Sequence, residues 1–242
     1  MRHVVIVCAF SLAVCQCLGP IARGDDTEKH YGLEARELWT TSSVVGTPEQ
    51  PPPYTVKRIY PELTFDHPVF VAQEPGTDRI VVGELDGKLI AFDNHNPSRD
   101  SKQEILDIKR QLYAFSFLPD YETIGYLFTF SPTDPNDKSD EKLSRVSRYQ
   151  AGKETPRVVP PESETVIIEW PAGGHNGGEA IIGPDGYLYI STGDSTGTSD
   201  LKATGQGVDD LFYGIMRLDG DSPDEGRGYS IPPDNPFVDT PG

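Results

Sequence analysis

The residues best placed to do chemistry are His175 and Asp194. His175 sits inside Gly173-Gly174-His175-Asn176-Gly177-Gly178, and Asp194 closes Thr192-Gly193-Asp194. Between them runs Ile181-Ile182-Gly183-Pro184-Asp185-Gly186-Tyr187-Leu188-Tyr189-Ile190. Apolar, β-favouring residues on both sides of a Pro-Asp-Gly turn form a hairpin pattern. If the turn spans Gly183 to Gly186, opposed residue numbers sum to 369, as 175 and 194 do. A three-residue loop with a bulge at Gly186 shifts this by one position. Directly opposed residues share a face, with Cβ atoms about 5 Å apart. That is the reach a carboxylate needs to fix one imidazole tautomer and support its cation. A strand-end histidine seen alone is more often capped or solvated than catalytic. The four flanking glycines shift that balance. Glycine adds no packing and weakens a strand, so such density points to the close approach of a ligand or of another backbone.

The elements that must position the pair are short strands. From Pro68 onward the pattern predicts strands over 69–72, 79–84, 88–92 and 105–108, with a turn at Leu85-Asp86-Gly87. A second group covers 111–117, a turn at Pro119-Asp120, then 125–130, 143–149 and 165–169, interrupted by an acidic, proline-bearing loop at 132–141. The third group is the hairpin itself, followed by a polar loop over 195–207 and short apolar segments at Leu211-Phe212 and 215–219. Residues 56–60 read as a strand entering the domain. Phe70, Phe115 and Ala180 anchor three loose repeats, at intervals typical of propeller blades once a loop insertion in the second is allowed for. No long amphipathic helix is present, and 24 Gly with 22 Pro fit many short strands joined by turns. The expected fold is all-β, a partial β-propeller of three to four blades, with a β-sandwich as the alternative.

The first 24 residues read as a signal peptide. Arg2 is followed by an apolar run over 4–18, and Ala22-Arg23-Gly24 is a small-x-small cleavage site before Asp25. That run is short for a membrane span, and no transmembrane span is expected in the mature chain. Cys8, Cys15 and Cys17 all lie inside it, so the mature chain carries no disulfide framework. Loss of Arg2 and Arg23 takes the formal charge from −17 to −19, which argues against nucleic acid and anionic membranes as partners. The expected destination is exported, periplasmic or extracellular. Residues 25–60 form a polar leader bearing Pro51-Pro52-Pro53 and a short helix near 33–38, and 61–242 form the domain.

The glycine-flanked histidine, with Gly183-Pro184-Asp185-Gly186-Tyr187-Leu188-Tyr189 and Gly193-Asp194, resembles the signature of the glucose/sorbosone dehydrogenase family. Residues 112–121 followed by Gly125-Tyr126-Leu127-Phe128 resemble its second-blade run. Gly214-Ile215-Met216-Arg217-Leu218-Asp219 with Ile231-Pro232 and Asp234-Asn235-Pro236-Phe237 resemble a third segment. The resemblance covers Pro68 to the C-terminus. It implies a six-bladed propeller and a PQQ-dependent oxidation of a sugar or sugar-derived aldehyde. His175 would be the general base for the sugar hydroxyl and Asp194 the residue that orients it, with hydride passing to PQQ. Calcium is a further cofactor the resemblance brings; the final electron acceptor is not identified.

Several positions depart from the family pattern. Arg110-Gln111 stands where acidic or amide residues and glycines are usual, and Ile215 where lysine is usual. The family's Arg-Asn-Pro segment, its cofactor-gripping basic residues and its calcium ligands would fall after Gly242. The chain therefore reads as C-terminally truncated, with part of the active site missing. Lys202 and Arg217 are the nearest basic residues that remain. The competing expectation is a non-catalytic extracellular binding propeller, because the same fold occurs in animal proteins that bind signalling ligands. A metal at His175 is disfavoured, since His67 and His95 lie in other repeats. The acidic segment 219–225 offers oxygen ligands but no EF-hand spacing, and Gly173–Gly178 lacks the Gly-Lys-Ser/Thr of a phosphate loop.

Overall fold

The computed structural model describes residues 55–133, 142–197, 200, 203–204, 207 and 209–238. All but the first of these belong to one compact unit spanning 56–242. The expected signal segment, most of the expected leader including the helix read near 33–38, and Lys202 lie outside the described residues.

Among the described residues, eleven strands form three antiparallel sheets in chain order. The first contains β1 (Pro68–Gln73), β2 (Arg79–Glu84), β3 (Lys88–Asp93) and β4 (Gln103–Asp107), each paired with the next. The second contains β5 (Ala114–Phe117), β6 (Tyr126–Ser131), β7 (Leu143–Gln150) and β8 (Thr165–Pro171). The third contains β9 (Gly177–Ile182), β10 (Leu188–Thr192) and β11 (Ile215–Leu218). A single bridge, Asp219 to Ser230, continues β11 toward a returning segment.

Local chemistry explains the turns. Gly87 between β2 and β3 has φ of +104°, and a Cβ there would lie 2.3 Å from the Arg110 carbonyl, so only glycine fits. The connection between β5 and β6, read from the sequence as a simple Pro-Asp turn, extends into one helical turn, α1 (Tyr121–Ile124). Gly125 ends it in the left-handed region and donates to Tyr121 O at 2.8 Å. The Tyr121 ring is fully buried, with its hydroxyl 3.2 Å from Glu74 Oε1. That burial stabilises a turn too short to persist alone.

The middle sheet is covered on both faces, which separates this architecture from a two-layer sandwich. Leu127 of β6 packs with Leu89, Phe115 and Tyr149 in the cluster shared with the first sheet. Its neighbours Phe128 and Phe130 pack with Trp170, Ile190 and Leu218 in the cluster shared with the third. Successive side chains of a strand point to opposite faces, so a run such as 126–130, apolar except for the buried Thr129, is the signature of a strand buried on both sides. The first strands of the three sheets are knit together. The Phe70 and Phe115 rings meet at 5.4 Å, and Ser116 Oγ donates to Ala180 O at 2.6 Å. The chain is thus all-β, with three blade-like sheets stacked about their first strands.

One expected strand does not form. Residues 56–60 are irregular and largely exposed, and Tyr60 instead packs with Leu63 and Phe65 on the outer face of the first sheet beside Val82 and Phe92. Leu211-Phe212 is a series of bends; with only two apolar residues between Asp210 and Tyr213-Gly214, it lacks the length for a ladder. The opposite end of the stack is open: Ile181 and Ile215 on the outer face of the third sheet are 42% and 75% exposed.

Candidate active site

The β9–β10 hairpin closes through a three-residue loop, with Gly183 N donating to Tyr187 O at 2.9 Å and Gly186 N to Gly183 O at 3.0 Å. Gly186 has φ of +84°, the left-handed position that this loop requires. Ile182 therefore faces Leu188 and Ala180 faces Ile190, one position away from the simplest register. A bulge then sets two residues of β9 against Ser191, and Gly177 faces Thr192. The second shift cancels the first. Beyond the strands, the backbones stay joined by Gly193 N to Asn176 O at 3.2 Å, Ser195 N to His175 O at 2.9 Å and His175 N to Thr196 O at 2.7 Å.

His175 Nδ1 lies 3.0 Å from Asp194 Oδ1. The imidazole is 56% exposed, whereas the carboxylate is almost wholly buried. Asp194 also accepts from the Thr196 hydroxyl, and from the Thr196 backbone N–H at 3.0 Å. These two donors, the hydroxyl first, hold its carboxyl below the ordinary value of 3.8; burial opposes them and the His175 contact adds to them. An ionised carboxylate only accepts, so Nδ1 carries the proton and Nε2 is left as the basic nitrogen of the ring.

The glycines have a backbone explanation. A Cβ on Gly173 would lie 1.8 Å from Ser195 O, on Gly178 1.8 Å from Ser191 O, and on Gly193 2.1 Å from His175 O. The two arms of the hairpin approach so closely that side chains are excluded between them. Of the two expectations for this glycine density, close approach of another backbone is what the structure displays.

Two contributors had no assigned part in the sequence reading. Thr196 follows Asp194 by two positions, the spacing at which Asp takes up a nearby backbone N–H. Asn176 closes the loop that presents His175: its Oδ1 accepts from Gly173 N at 2.6 Å and its Nδ2 donates to Gly173 O at 3.1 Å. The Asn inside a glycine run was the available signal, since Asn commonly bonds nearby backbone.

The remaining candidates lie elsewhere. His67 pairs with Asp66 at 2.6 Å and His95 with Asp78 at 3.0 Å, both at the first sheet. Arg217 is committed to structure: Nε meets Asp185 Oδ2 at 3.0 Å, Nη1 meets Asp234 Oδ1 at 2.7 Å, and the guanidinium lies 4.2 Å over the Tyr187 ring. Arg110 donates to Ser131 Oγ and Leu143 O, each at 3.2 Å. In the 219–225 segment, Asp219 Oδ1 accepts its own loop's N–H groups from Asp221 and Ser222 at 2.9 and 3.0 Å. Among the described residues no group of three His, Cys, Asp or Glu side chains is arranged to hold a metal ion.

Residues 65–242 match the Glucose / Sorbosone dehydrogenase family model. The chain belongs to that family. Its fold is similar to that of a Thermus thermophilus oxidoreductase described as a glucose dehydrogenase, with a TM-score of 0.53 and 20% identity over 72% of this chain and 49% of that one. It is likewise similar to the soluble aldose sugar dehydrogenase of Escherichia coli in its apo form, with a TM-score of 0.54 and 18% identity over 72% and 48% of the two chains. Among curated proteins, the mouse Hedgehog-interacting protein is 31% identical over 141 residues, 54% of this chain. The chain spans a fifth of that relative's length and about half of the two structures.

Proposed function

We propose that the protein is an oxidoreductase of the glucose/sorbosone dehydrogenase type, acting on a sugar or sugar-derived aldehyde with His175 as general base. The observation that carries this reading is the 3.0 Å contact between His175 Nδ1 and the buried Asp194 carboxylate. Nε2 takes the proton from a substrate hydroxyl, and the imidazolium so formed faces an anion that cannot move away. A positioned base of this kind contributes about 10²–10⁴-fold to rate. When bound, the PQQ that the family implies would accept the hydride from the substrate carbon.

On this reading the described residues handle the proton, and none of them forms a cradle for an acidic quinone. Among them, no lysine or arginine bonds to His175 or Asp194, and Arg217 and Arg110 are bonded elsewhere. The reading places the mature protein in an exported compartment after cleavage near Gly24. The test is dye reduction with an aldose after addition of PQQ and Ca²⁺, with PQQ binding followed by calorimetry. His175→Ala should bind PQQ as the parent does and lose turnover by at least about 10²-fold. Absence of PQQ binding to the full-length protein would sink the reading.

The similarity to the mouse Hedgehog-interacting protein favours a second reading, a non-catalytic extracellular module that binds a protein ligand. On that reading His175→Ala and Asp194→Asn leave partner binding intact, and the pair serves only to close the hairpin.

A further inference from the structure

The Asp194 carboxylate is held at both oxygens, and one residue supplies a donor to each. Oδ1 receives His175 Nδ1 and the Thr196 backbone N–H, each at 3.0 Å, while Oδ2 receives the Thr196 hydroxyl. The terminal torsion of an aspartate is broad and easily turned, so donors at Oδ1 alone leave the carboxylate plane free to swing. The hydroxyl at Oδ2 removes that freedom. Ser195, with φ of +54°, turns the chain so that both donors of Thr196 reach back to the side chain two residues earlier. The whole arrangement is inside the protein: Asp194, Ser195 and Thr196 are all buried.

We propose that Thr196 is a positioning residue for the His175–Asp194 pair, fixing the plane of the Asp194 carboxylate so that the imidazole is kept in its Nδ1–H form with Nε2 free to accept a proton. This role deepens the reading of His175 as general base and depends on it. A ring whose tautomer is free to relax would present Nε2–H to a substrate hydroxyl for part of the time, and in that form it cannot act as base.

The test needs neither cofactor nor substrate. In ¹⁵N-labelled protein at a pH where His175 is neutral, long-range ¹H–¹⁵N correlation reports the ratio of Nδ1–H to Nε2–H. Thr196→Val keeps the shape and removes only the hydroxyl; it should lower that ratio by roughly tenfold, the worth of a hydrogen bond to a charged group. Thr196→Ser should restore it. Asp194→Asn should collapse it. An unchanged ratio in Thr196→Val, with Asp194→Asn collapsed, overturns the role of Thr196 and leaves the His175 reading standing. A ratio unchanged in both variants overturns the two together. If Thr196→Val does not fold, Thr196→Ala set against Thr196→Ser makes the same comparison. In the loaded enzyme, a positioning role lowers kcat without raising KM.

Discussion

Gly193→Ala is the sharpest probe of how the histidine and the carboxylate are brought together. A Cβ at position 193 would lie 2.1 Å from the His175 carbonyl oxygen and 2.8 Å from its carbon, whereas ordinary contact begins at 3.4 Å. The obstruction is backbone, so no side chain can rotate away, and the two arms of the hairpin must open by 1.3 Å, from 2.1 to 3.4 Å. Gly193 N–Asn176 O at 3.2 Å and Ser195 N–His175 O at 2.9 Å then stretch beyond bonding range. Two backbone hydrogen bonds at about 1 kcal/mol each, plus residual strain, give an expected loss of about 2–4 kcal/mol. The same opening carries His175 Nδ1 away from Asp194, so the imidazole loses its preference for Nδ1–H. Gly197, a few residues on, meets nothing within 4 Å of a built Cβ, and Gly197→Ala should leave stability within about 0.5 kcal/mol of the parent. Denaturant unfolding measures the first effect and ¹⁵N chemical shifts of the ring the second. If Gly193→Ala and Gly197→Ala unfold at the same midpoint, the backbone-approach account of these glycines is wrong.

Two further perturbations test the scaffold. Glu164 is buried enough to raise its pKa, but the Ser147 hydroxyl at 2.7 Å and Arg145 at 3.2 Å outweigh that and hold it below the ordinary 4.5. A depressed carboxylate contributes stability that is complete above its unfolded value and lost as pH falls through its folded value. Glu164→Gln should therefore be less stable than the parent at neutral pH, with the difference in unfolding midpoint closing below about pH 4.5; a difference constant with pH contradicts this. Arg217→Met removes the tie between Asp185 on the hairpin loop and Asp234. It should speed amide exchange over 231–238 while the β6 amides exchange as before, and uniform exchange in the two proteins would show the tie to be idle.

The three sheets were legible because strand patterns are local: Phe70, Phe115 and Ala180 each fall in the first strand of a sheet. Residues 56–60 carry the β-favouring Val56, Ile59 and Tyr60, yet the apolar positions beyond them, Leu63 and Phe65, find a better surface on Val82 and Phe92 than in a ladder. That choice depends on long-range packing and leaves no local mark. The facing of His175 and Asp194 was within reach of hairpin arithmetic, but the route differed. One shift arises at the Gly186 loop and a second, opposite one at Ser191, and only their cancellation returns the sum of 369. Thr196 was less legible: Asp commonly takes the backbone N–H two residues on, but here the hydroxyl bonds the second oxygen as well, with the intervening residue in a left-handed conformation. That residue is Ser195, at φ of +54°, and serine gives no warning of it.

The glycines bear on function differently from what their density first implied. If a ligand needed the space, their Cβ positions would open toward a pocket; instead a Cβ on Gly173, Gly178 or Gly193 would meet the opposite backbone at 1.8–2.1 Å. They cease to be independent witnesses for a cofactor and become part of the device that fixes the pair. What remains as a functional signal is the asymmetry of the pair itself. A carboxylate placed to close a hairpin could sit at the surface, where water would satisfy it and the ion pair would contribute little. Asp194 is instead taken out of water and given three donors, and the partner it holds is left 56% exposed. On the proposed reading, burying the anion while presenting the base is the order that proton abstraction requires.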